Sequence, residues 1–453
     1  MTRPVPTIPE MQLRRHLPCQ RWYAGTEEPS SVVVVHAEML RDEWPILLRL
    51  LVEADGSCYQ LLLGLRPEGD QLDFLRGRDD ATVCPVDVDG ARSMAYDAVF
   101  DPDLGLHLFW RVTGGNESAE RVRPIGVEQS NTSLVYDERL ILKVFRRLLP
   151  GPNPEIEVTA GLVRAGFRWV AEPLATESAH GFDLALLQPF LAGAVDGWAL
   201  ALTSLRDLFG VHDTQSVPII VAGAPPPAAD PGEAGGDFAA EAHRLGETTA
   251  AMHIAMAEAF GRDEEPGGAT RAQTWADDIE AQARRSLDDV LTAIAILDEL
   301  RDADPGAAIR THGDYHLGQV MRTDAGWYVL DFEGEPDRPL EERQRHTSPL
   351  RDVAGMLRSL HYASAVALAE RDGEFERPAE AWEARNRQAF LDGYLPAAAK
   401  GGILPGDQAS IDAVLAAFEL EKAVYELAYE RSHRPEWVHI PLTAIRRLKA
   451  GLG

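Results

Sequence analysis

Residues 311–319 and a later aspartate constrain this chain more than any other feature. The run reads T-H-G-D-Y-H-L-G-Q, so that Asp314 is followed in the same segment by the side-chain amide of Gln319. Further along, the apolar stretch 327–330 predicts a short strand, and Asp331 stands directly after it. The sequence therefore supplies a carboxylate, an amide and a second carboxylate at fixed places along one segment.

Phosphoryl transfer requires these three groups. One carboxylate orients the attacking hydroxyl and accepts its proton, while an amide oxygen and another carboxylate hold Mg²⁺ on the phosphates. Protein kinases use H-R-D-x-x-x-x-N and D-F-G in these roles, where this chain has H-G-D-x-x-x-x-Q and D-F-E. The pattern predicts a small-molecule kinase that uses ATP and Mg²⁺. Asp314 is the expected catalytic base, and Gln319 and Asp331 are the expected metal ligands.

A zinc site is the rival interpretation of His312 and His316, whose imidazoles are four residues apart. The zinc-protease pattern needs a glutamate directly after the first histidine and a helix that carries both. This chain has Gly313 at that place, and glycine weakens a helix. We therefore favour the phosphotransfer interpretation.

Length and charge limit the classes of partner. A chain of 453 residues exceeds what one hydrophobic core usually supports, which predicts two or three domains. The formal charge of −28 argues against a nucleic acid or an anionic membrane as partner. ATP would then need a locally basic site, for which Lys143, Arg146 and Arg147 are candidates.

Cysteine usage and hydropathy indicate the compartment. Cys19, Cys58 and Cys84 form no C-x-x-C pair, which argues against a disulfide framework or structural zinc. We find no apolar segment of signal-peptide or membrane-spanning length. The expectation is a soluble, cytoplasmic protein.

The order of predicted elements indicates an α+β, bilobal fold like that of eukaryotic protein kinases, with an extra N-terminal cap and a helical C-lobe. Strands are predicted at 32–36, 45–52, 59–65, 133–136, 140–145 and 183–191, the last as a hinge. Residues 91–115 are expected to be helical and then extended. Further helices are predicted at 155–165, 238–259, 270–302, 349–369, 376–394 and 408–431. The expected domains are a cap at 1–90, the rest of the N-lobe at 91–190 and the C-lobe at 191–453.

Nucleotide-binding residues are expected around Lys143, on a predicted strand. In kinases a strand lysine binds the phosphates and pairs with a glutamate of the next helix. Glu157 is our first choice for that partner, and Glu155 is the alternative. A polar turn replaces the usual glycine-rich loop, and an ordinary hairpin turn is the competing interpretation. The further nucleotide-binding candidates are Ser130, Thr132, Ser133 and Gln188.

Two further groups stand out in the predicted C-lobe. Arg351 and Asp352 open a helix and are expected to hold the catalytic loop by a buried ion pair or a capping contact. Nearer the C-terminus, carboxylates, an arginine and aromatic rings occur together, which suits a sugar's hydroxyls and its apolar ring face. A solvated acidic helix face is the alternative. The acceptor-binding candidates are Asp314, His316, Glu426, Tyr429, Glu430, Arg434 and Trp437.

The chain resembles the actinobacterial maltokinases, relatives of the aminoglycoside phosphotransferases. The resemblance rests on the blocks at 20–25, 128–133, 142–147, 236–238, 311–319, 331–336, 351–355, 425–426 and 434–437. It implies ATP:maltose 1-phosphotransferase activity, whose product would feed α-glucan synthesis, and thus a functional link to α-glucan-synthesising enzymes. It also implies a kinase-like fold with an N-terminal cap.

Two departures from the resemblance leave the acceptor open. Tyr315 stands where we expect leucine, next to the expected base, and the proline run 225–227 is specific to this chain. A glucosamine or aminoglycoside kinase is the main alternative, with Glu426 and Glu430 available for an amine. A non-catalytic pseudokinase is disfavoured because the expected base, metal ligands and strand lysine are all present.

Overall fold

The computed structural model describes residues 3–25, 27–125, 131–215, 232, 237–263, 268–288, 290–335, 338–371 and 375–450. The chain divides into two compact units. The first comprises Met1–Glu157 and Ala171–Ala192, and the second comprises Val158–Val170 and Gly193–Gly453.

The first unit is rich in antiparallel strands. Its strands are β1 (Val32–Arg41), β2 (Ile46–Ala54), β3 (Ser57–Pro67), β4 (Thr82–Val88), β5 (Ala91–Asp97), β6 (Val122–Ile125), β7 (Asn131–Tyr136), β8 (Leu140–Phe145), β9 (Arg147–Leu148), β10 (Ala175–Ala179) and β11 (Phe182–Pro189). Its helices are α1 (Glu10–His16) and α2 (Pro102–Val112), while α3 (Pro154–Arg164) starts in this unit and ends in the other. One sheet has the strand order β1-β2-β3-β5-β4, with β9 also paired to β3, and another has the order β10-β11-β8-β7-β6.

The apolar runs of β2 and β3 do not alternate with polar residues because both sheet faces are buried. Leu48 and Leu63 belong to a core shared with α1, whereas Leu47 and Leu62 point into a second core shared with α2. Successive residues of a strand point to opposite faces, so a continuous hydrophobic run is what two cores demand. The predicted cap boundary at residue 90 falls in the turn between the paired strands β4 and β5, and that boundary stays a prediction.

The second unit is mainly helical. Its helices are α4 (Gly197–Gln215), α5 (Ala239–Phe260), α6 (Gly268–Ser286), α7 (Leu291–Asp302), α8 (Leu340–Arg343), α9 (Leu350–Ala369), α10 (Glu376–Lys400), α11 (Gln408–His433) and α12 (His439–Ala450). Short strands are β12 (Val195–Asp196), β13 (Arg262–Asp263), β14 (Ala308–Ile309), β15 (Val320–Arg322) and β16 (Trp327–Val329). Within the described residues, we find no helix that combines the length and apolarity needed to cross a bilayer.

The prediction for residues 91–115 is wrong in its order, because strand β5 comes first and helix α2 follows. Asp101 caps α2: its side chain accepts a hydrogen bond from the Asp103 backbone N–H, and Pro102 occupies the first helical turn. An aspartate followed by proline is a typical helix start, so the sequence did carry this signal.

The helix predicted over 270–302 is two helices, α6 and α7. The side chain of Arg431, on α11, donates to the backbone carbonyl of Ser286 at 2.6 Å, where α6 ends. The last carbonyls of a helix need such partners, and a partner from another helix leaves no trace in local periodicity.

Arg146 corrects the prediction of a basic cluster for ATP. Its side chain is buried and forms a bidentate ion pair with Asp97, with distances of 2.7 and 2.9 Å. Its Nε donates to the Thr132 hydroxyl at 2.9 Å, and its guanidinium packs over Trp22. A buried, paired guanidinium holds the first unit together and supplies no field to a ligand, whereas Arg147 is exposed.

Candidate active site

A β-hairpin brings the two expected metal ligands together. Strands β15 and β16 pair with Val320 opposite Val329, and the backbone N–H of Leu330 donates to the Gln319 carbonyl at 2.9 Å. This register sets Gln319 beside Asp331, and the Gln319 amide donates to the Asp331 carboxylate at 3.0 Å. An amide oxygen and a carboxylate are ligands of the hard kind that Mg²⁺ prefers, so this pair fits the ion.

The backbone at Asp331 is held in an unusual conformation. Its φ is +59°, in the left-handed region that residues other than glycine rarely adopt. Such conformations cost about 1–3 kcal/mol and persist only where the surrounding structure enforces them.

Asp352 holds the loop that carries Asp314. Its carboxylate accepts from the backbone N–H groups of His312 at 2.7 Å and Gly313 at 3.0 Å, and also contacts His253 at 3.1 Å. This arrangement confirms the predicted role of Asp352 in holding the loop, whereas Arg351 pairs with Glu421 at 2.9 Å. His312 completes the support, because its Nε2 lies 2.8 Å from the Leu330 carbonyl. The imidazole thus ties the loop to the hairpin.

Two glycines are required by this packing. Gly313 has a φ of +87°, which side chains strongly disfavour. Gly355, on α9, lies so close to the loop that an added Cβ would meet the Tyr315 carbonyl oxygen at 2.6 Å. Both residues let the chain pass tightly behind the expected base.

Tyr315 does not face the acceptor side as expected from its place beside Asp314. Its ring is buried, and its hydroxyl lies 2.8 Å from the Thr249 hydroxyl of α5. The Tyr315 side chain therefore packs behind the loop, against α5.

Sequence reasoning missed the cation beside Asp314. Lys422, on α11, donates to the Asp314 carboxylate at 3.2 Å and to the Glu335 carboxylate at 2.7 Å. Glu335 is buried and also pairs with Arg338. Lys422 stands four residues before Glu426, on the same helix face, and that spacing was the available signal.

The charge state of Asp314 follows from these neighbours. Burial works to raise the pKa of its carboxyl, but the positive charge of Lys422 more than offsets that and lowers the pKa. Burial also lowers the pKa of His316, so its imidazole is neutral at pH 7. Its Nδ1 accepts from the Gly318 N–H at 3.0 Å, which leaves the proton on Nε2, 3.8 Å from Asp314.

In the first unit, Lys143 pairs with Glu155. Lys143 Nζ donates to the buried Glu155 carboxylate at 3.1 Å. The preferred partner, Glu157, was therefore the wrong choice and the alternative is the pair that forms. Asn153 holds the first turn of α3, which carries Glu155, because its side-chain oxygen accepts a hydrogen bond from the Glu155 N–H at 2.8 Å.

The other expected nucleotide-binding residues lie on the same sheet. Ser133 is buried directly across from Lys143 in the β7–β8 register. Gln188 is buried on β11, where its side chain donates to the Ala171 carbonyl at 2.9 Å. The Thr132 hydroxyl accepts from Arg146, as described above, and Ser130 lies outside the described residues. Their contacts with a nucleotide stay predictions, as does that of Glu157.

Glu155→Gln is expected to raise the KM for ATP about tenfold, because it removes the charge that orients the phosphate-binding lysine. A charge-assisted hydrogen bond is about twice as strong as a neutral one, so the amide cannot replace the carboxylate. Glu157→Gln, two residues further along α3, is the matched control. A larger KM change in the control than in Glu155→Gln would contradict the pairing.

The expected acceptor-binding residues gather along the C-terminal half of α11 and the turn after it. Glu426 pairs with Arg358 at 2.6 Å, and the buried Glu430 pairs with Arg434 at 2.9 Å. The Arg434 guanidinium packs over the Trp437 ring, 4.5 Å from its centroid. Tyr429 is exposed, and Arg434 also contacts its ring, at 5.5 Å from the centroid. Both predicted carboxylates are thus already neutralised by arginines of this chain.

Two family models match the chain. One, described as the maltokinase N-terminal cap domain, matches residues 16–101, and the other, the phosphotransferase enzyme family, matches residues 230–386. The second match contains Asp314, Gln319 and Asp331. Together the matches confirm the predicted resemblance to a maltokinase-like kinase of the phosphotransferase type.

Related proteins of known name agree with the family models. A glucosamine kinase of Streptacidiphilus jiangxiensis is 29% identical over 343 residues, covering 70% of this chain and 71% of that protein. A glucosamine kinase of Mycolicibacterium smegmatis is 26% identical over 347 residues, covering 75% of this chain and 82% of that protein.

Solved structures agree in fold. A glucosamine kinase in complex with glucosamine, ADP and inorganic phosphate superposes with a TM-score of 0.63 at 23% identity, over 93% of this chain and 94% of that one. A second glucosamine kinase crystal form gives a TM-score of 0.66 at 22% identity, over 98% and 99%. The predicted α+β, kinase-like fold is confirmed.

Proposed function

From the premise that this chain is a maltokinase-like kinase of the phosphotransferase type, we propose that it transfers a phosphoryl group from ATP to the anomeric hydroxyl of maltose. The product would be maltose 1-phosphate, an activated sugar suited to α-glucan synthesis. A functional link to α-glucan-synthesising enzymes follows from that product. The sugar and its hydroxyl are proposals that rest on the contacts below.

Asp314 acts on the acceptor hydroxyl. Its lowered pKa keeps the carboxylate ionised, so it accepts a hydrogen bond from the hydroxyl at neutral pH. Such a carboxylate is a weak base, and it acts chiefly by orienting the hydroxyl for an in-line attack. A loose phosphoryl-transfer transition state needs this positioning more than it needs early proton removal.

Gln319 and Asp331 are the proposed Mg²⁺ ligands, because both offer oxygen and lie within hydrogen-bond distance of each other. When bound, Mg²⁺ supplies positive charge that offsets the phosphate charge. Lys143, fixed by Glu155, is the proposed phosphate-binding cation of the first unit. Its ammonium is an effective point charge for phosphate oxygens.

The neutral acceptor is supported by one observation above others: Glu426 and Glu430 each have an arginine partner within 3 Å. An amine-bearing acceptor would need a carboxylate without an internal cation to offset its own charge. Carboxylates that are paired with arginine remain good hydrogen-bond acceptors for sugar hydroxyls.

The reach of the helix face also suits a disaccharide. Lys422, beside the base, and Glu430 are two turns apart, which is about 12 Å along a helix axis. That span exceeds a single pyranose ring. Glucosamine kinase activity is the second candidate, favoured by the names of the two related proteins.

An acceptor survey tests the proposal. ATP consumption is measured with maltose, glucose, glucosamine and an aminoglycoside, and the product is identified by NMR. We expect the highest kcat/KM for maltose, with phosphate on the anomeric oxygen. A preference for glucosamine by orders of magnitude would replace maltose with the second candidate.

Trp437→Ala is expected to raise the KM for maltose about tenfold and to leave the KM for ATP nearly unchanged. The half-buried ring, held by Arg434, would offer a flat face to the apolar side of a pyranose ring. Trp110→Ala, which removes an exposed tryptophan of the first unit, is the matched control. Equal maltose KM values in both variants would remove Trp437 from the acceptor site.

A further inference from the structure

Lys422 bridges the expected base to a buried carboxylate. Its ammonium lies 3.2 Å from Asp314 and 2.7 Å from Glu335, while the Glu335 side chain is only 4% exposed. The same ammonium lies 5.0 Å from the centroid of the Tyr425 ring. An internal cation therefore sits between two carboxylates at the point where an acceptor must approach Asp314.

Glu335 is held by further ion pairs, which fix the bridge in place. Arg338 contacts both Glu335 and Glu421, and Arg351 contacts Glu421 at 2.9 Å and Glu335 at 3.7 Å. With Asp314 and Lys422, these are three carboxylates and three cations, and a fourth carboxylate, Glu342, lies 4.0 Å from Arg338. A connected network of ion pairs resists displacement, because removing one member leaves an uncompensated buried charge.

Lys422 and Glu335 are both ionised. Burial works to lower the pKa of Lys422, but Asp314 and then Glu335 more than offset that and raise it. Burial likewise works against the ionised form of Glu335, and Lys422, Arg351 and Arg338 lower its pKa overall. At neutral pH the position beside the base is therefore filled by a full positive charge.

We propose that Lys422 is a specificity-determining residue that excludes amine-bearing acceptors and admits neutral sugars. Its ammonium occupies the place between Asp314 and Glu335 that a substrate amine would otherwise take. This inference rests on the proposed function in one respect, namely that the acceptor is a sugar whose hydroxyl is bound by Asp314.

The hydrogen-bonding chemistry of an ammonium explains the selection. Lysine has three N–H donors and no acceptor, and two of the donors are directed at Asp314 and Glu335. The third N–H can donate to the oxygen of a sugar hydroxyl. It cannot donate to a substrate ammonium, because an ammonium has no acceptor. Like charges in contact at a partly buried site add a further penalty.

A purely positioning role for Lys422 predicts a different pattern. If the lysine only orients Asp314, its loss lowers the rate with every acceptor by a similar factor. Glucose and glucosamine separate the two roles, because they differ only by a hydroxyl in place of an ammonium at one carbon. Their kcat/KM ratio is insensitive to a uniform loss of activity.

The experiment compares this ratio in the wild-type protein, Lys422→Met and Lys422→Arg. We expect the glucosamine-to-glucose ratio to rise by about tenfold or more in Lys422→Met, since a like charge is removed. Lys422→Arg keeps the cation and should retain the wild-type ratio. Lys400→Met, at the end of α10, is the matched control and should leave the ratio unchanged. An unchanged ratio in Lys422→Met overturns the proposal.

A measurement on the unaltered protein keeps the inference testable if Lys422→Met does not fold. Glucosamine and glucose are compared as competitive inhibitors of maltose phosphorylation, and glucosamine should bind at least about tenfold more weakly. Tighter binding of glucosamine overturns the inference. The proposed function fails separately, if maltose is not the preferred acceptor, whatever the effect of Lys422.

Discussion

Asp314→Asn is expected to lower kcat by about 10²–10⁴-fold, the usual contribution of a positioned general base. Asparagine keeps the size of the side chain but removes the negative charge that orients the hydroxyl and finally accepts its proton. The loop should keep its shape, because Asp352 holds it through the backbone N–H groups of His312 and Gly313 rather than through Asp314. The measurement is maltose phosphorylation at saturating ATP, with Tm and ATP binding recorded in parallel.

Asp324→Asn is the control, because Asp324 is an exposed aspartate in the turn after β15. It should retain wild-type activity. Near wild-type turnover in Asp314→Asn would remove that residue from the role of base.

The pH profile gives a second readout of Asp314. The neighbouring Lys422 holds the pKa of this carboxyl below its ordinary value. The active, ionised form therefore persists as the pH falls past about 3.9, the pKa of an unperturbed aspartate. Activity due to Asp314 is lost only below that range. An acid limb of kcat/KM near pH 6 that vanished in Asp314→Asn would contradict this assignment.

Asp331→Asn is expected to weaken Mg²⁺-dependent activity on the order of 10²-fold, measured by Mg²⁺ titration at fixed ATP. Loss of an outer-shell partner of a metal ligand already costs about 10–100-fold in affinity, and this change removes a full ligand charge. Asparagine is chosen over alanine because it tolerates the left-handed backbone that Asp331 adopts. The effect is thereby one of charge rather than of backbone strain.

Gln319→Ala is the companion variant and should show a smaller loss, because the amide contributes no charge. Gln344→Ala removes a glutamine at the end of α8 and serves as the matched control. If Asp331→Asn and Gln344→Ala required the same Mg²⁺ concentration, the metal would have to bind elsewhere.

The expected catalytic groups could be identified from the sequence because their arrangement is local. Gln319 directly precedes β15 and Asp331 follows β16, so both lie at the open end of one short hairpin, and the spacing that suggested phosphotransfer also fixes their contact. The strands and most helices likewise follow from local periodicity. Asp352 was recognisable because a charged residue at a buried helix start has few roles other than capping or pairing.

The electrostatic partners were not identifiable in the same way. Arg146 was expected to face ATP, yet it is buried with Asp97, far away in sequence. The choice between Glu155 and Glu157 depends on which side of α3 faces β8. Side chains two positions apart on a helix point in directions that differ by about 200°. Only the orientation of α3 in the fold therefore decides which glutamate reaches Lys143.

By itself, then, the sequence predicted the chemistry: an expected base, a pair of expected metal ligands and a strand lysine, each tied to a short motif. The tertiary structure alone decided how these charges are balanced. Lys422 reaches Asp314 from α11, a helix more distant in the sequence than the hairpin. Glu426 and Glu430 have arginine partners. The physical reason is that charge interactions depend on separation in space and on burial, which separation along the chain does not reveal.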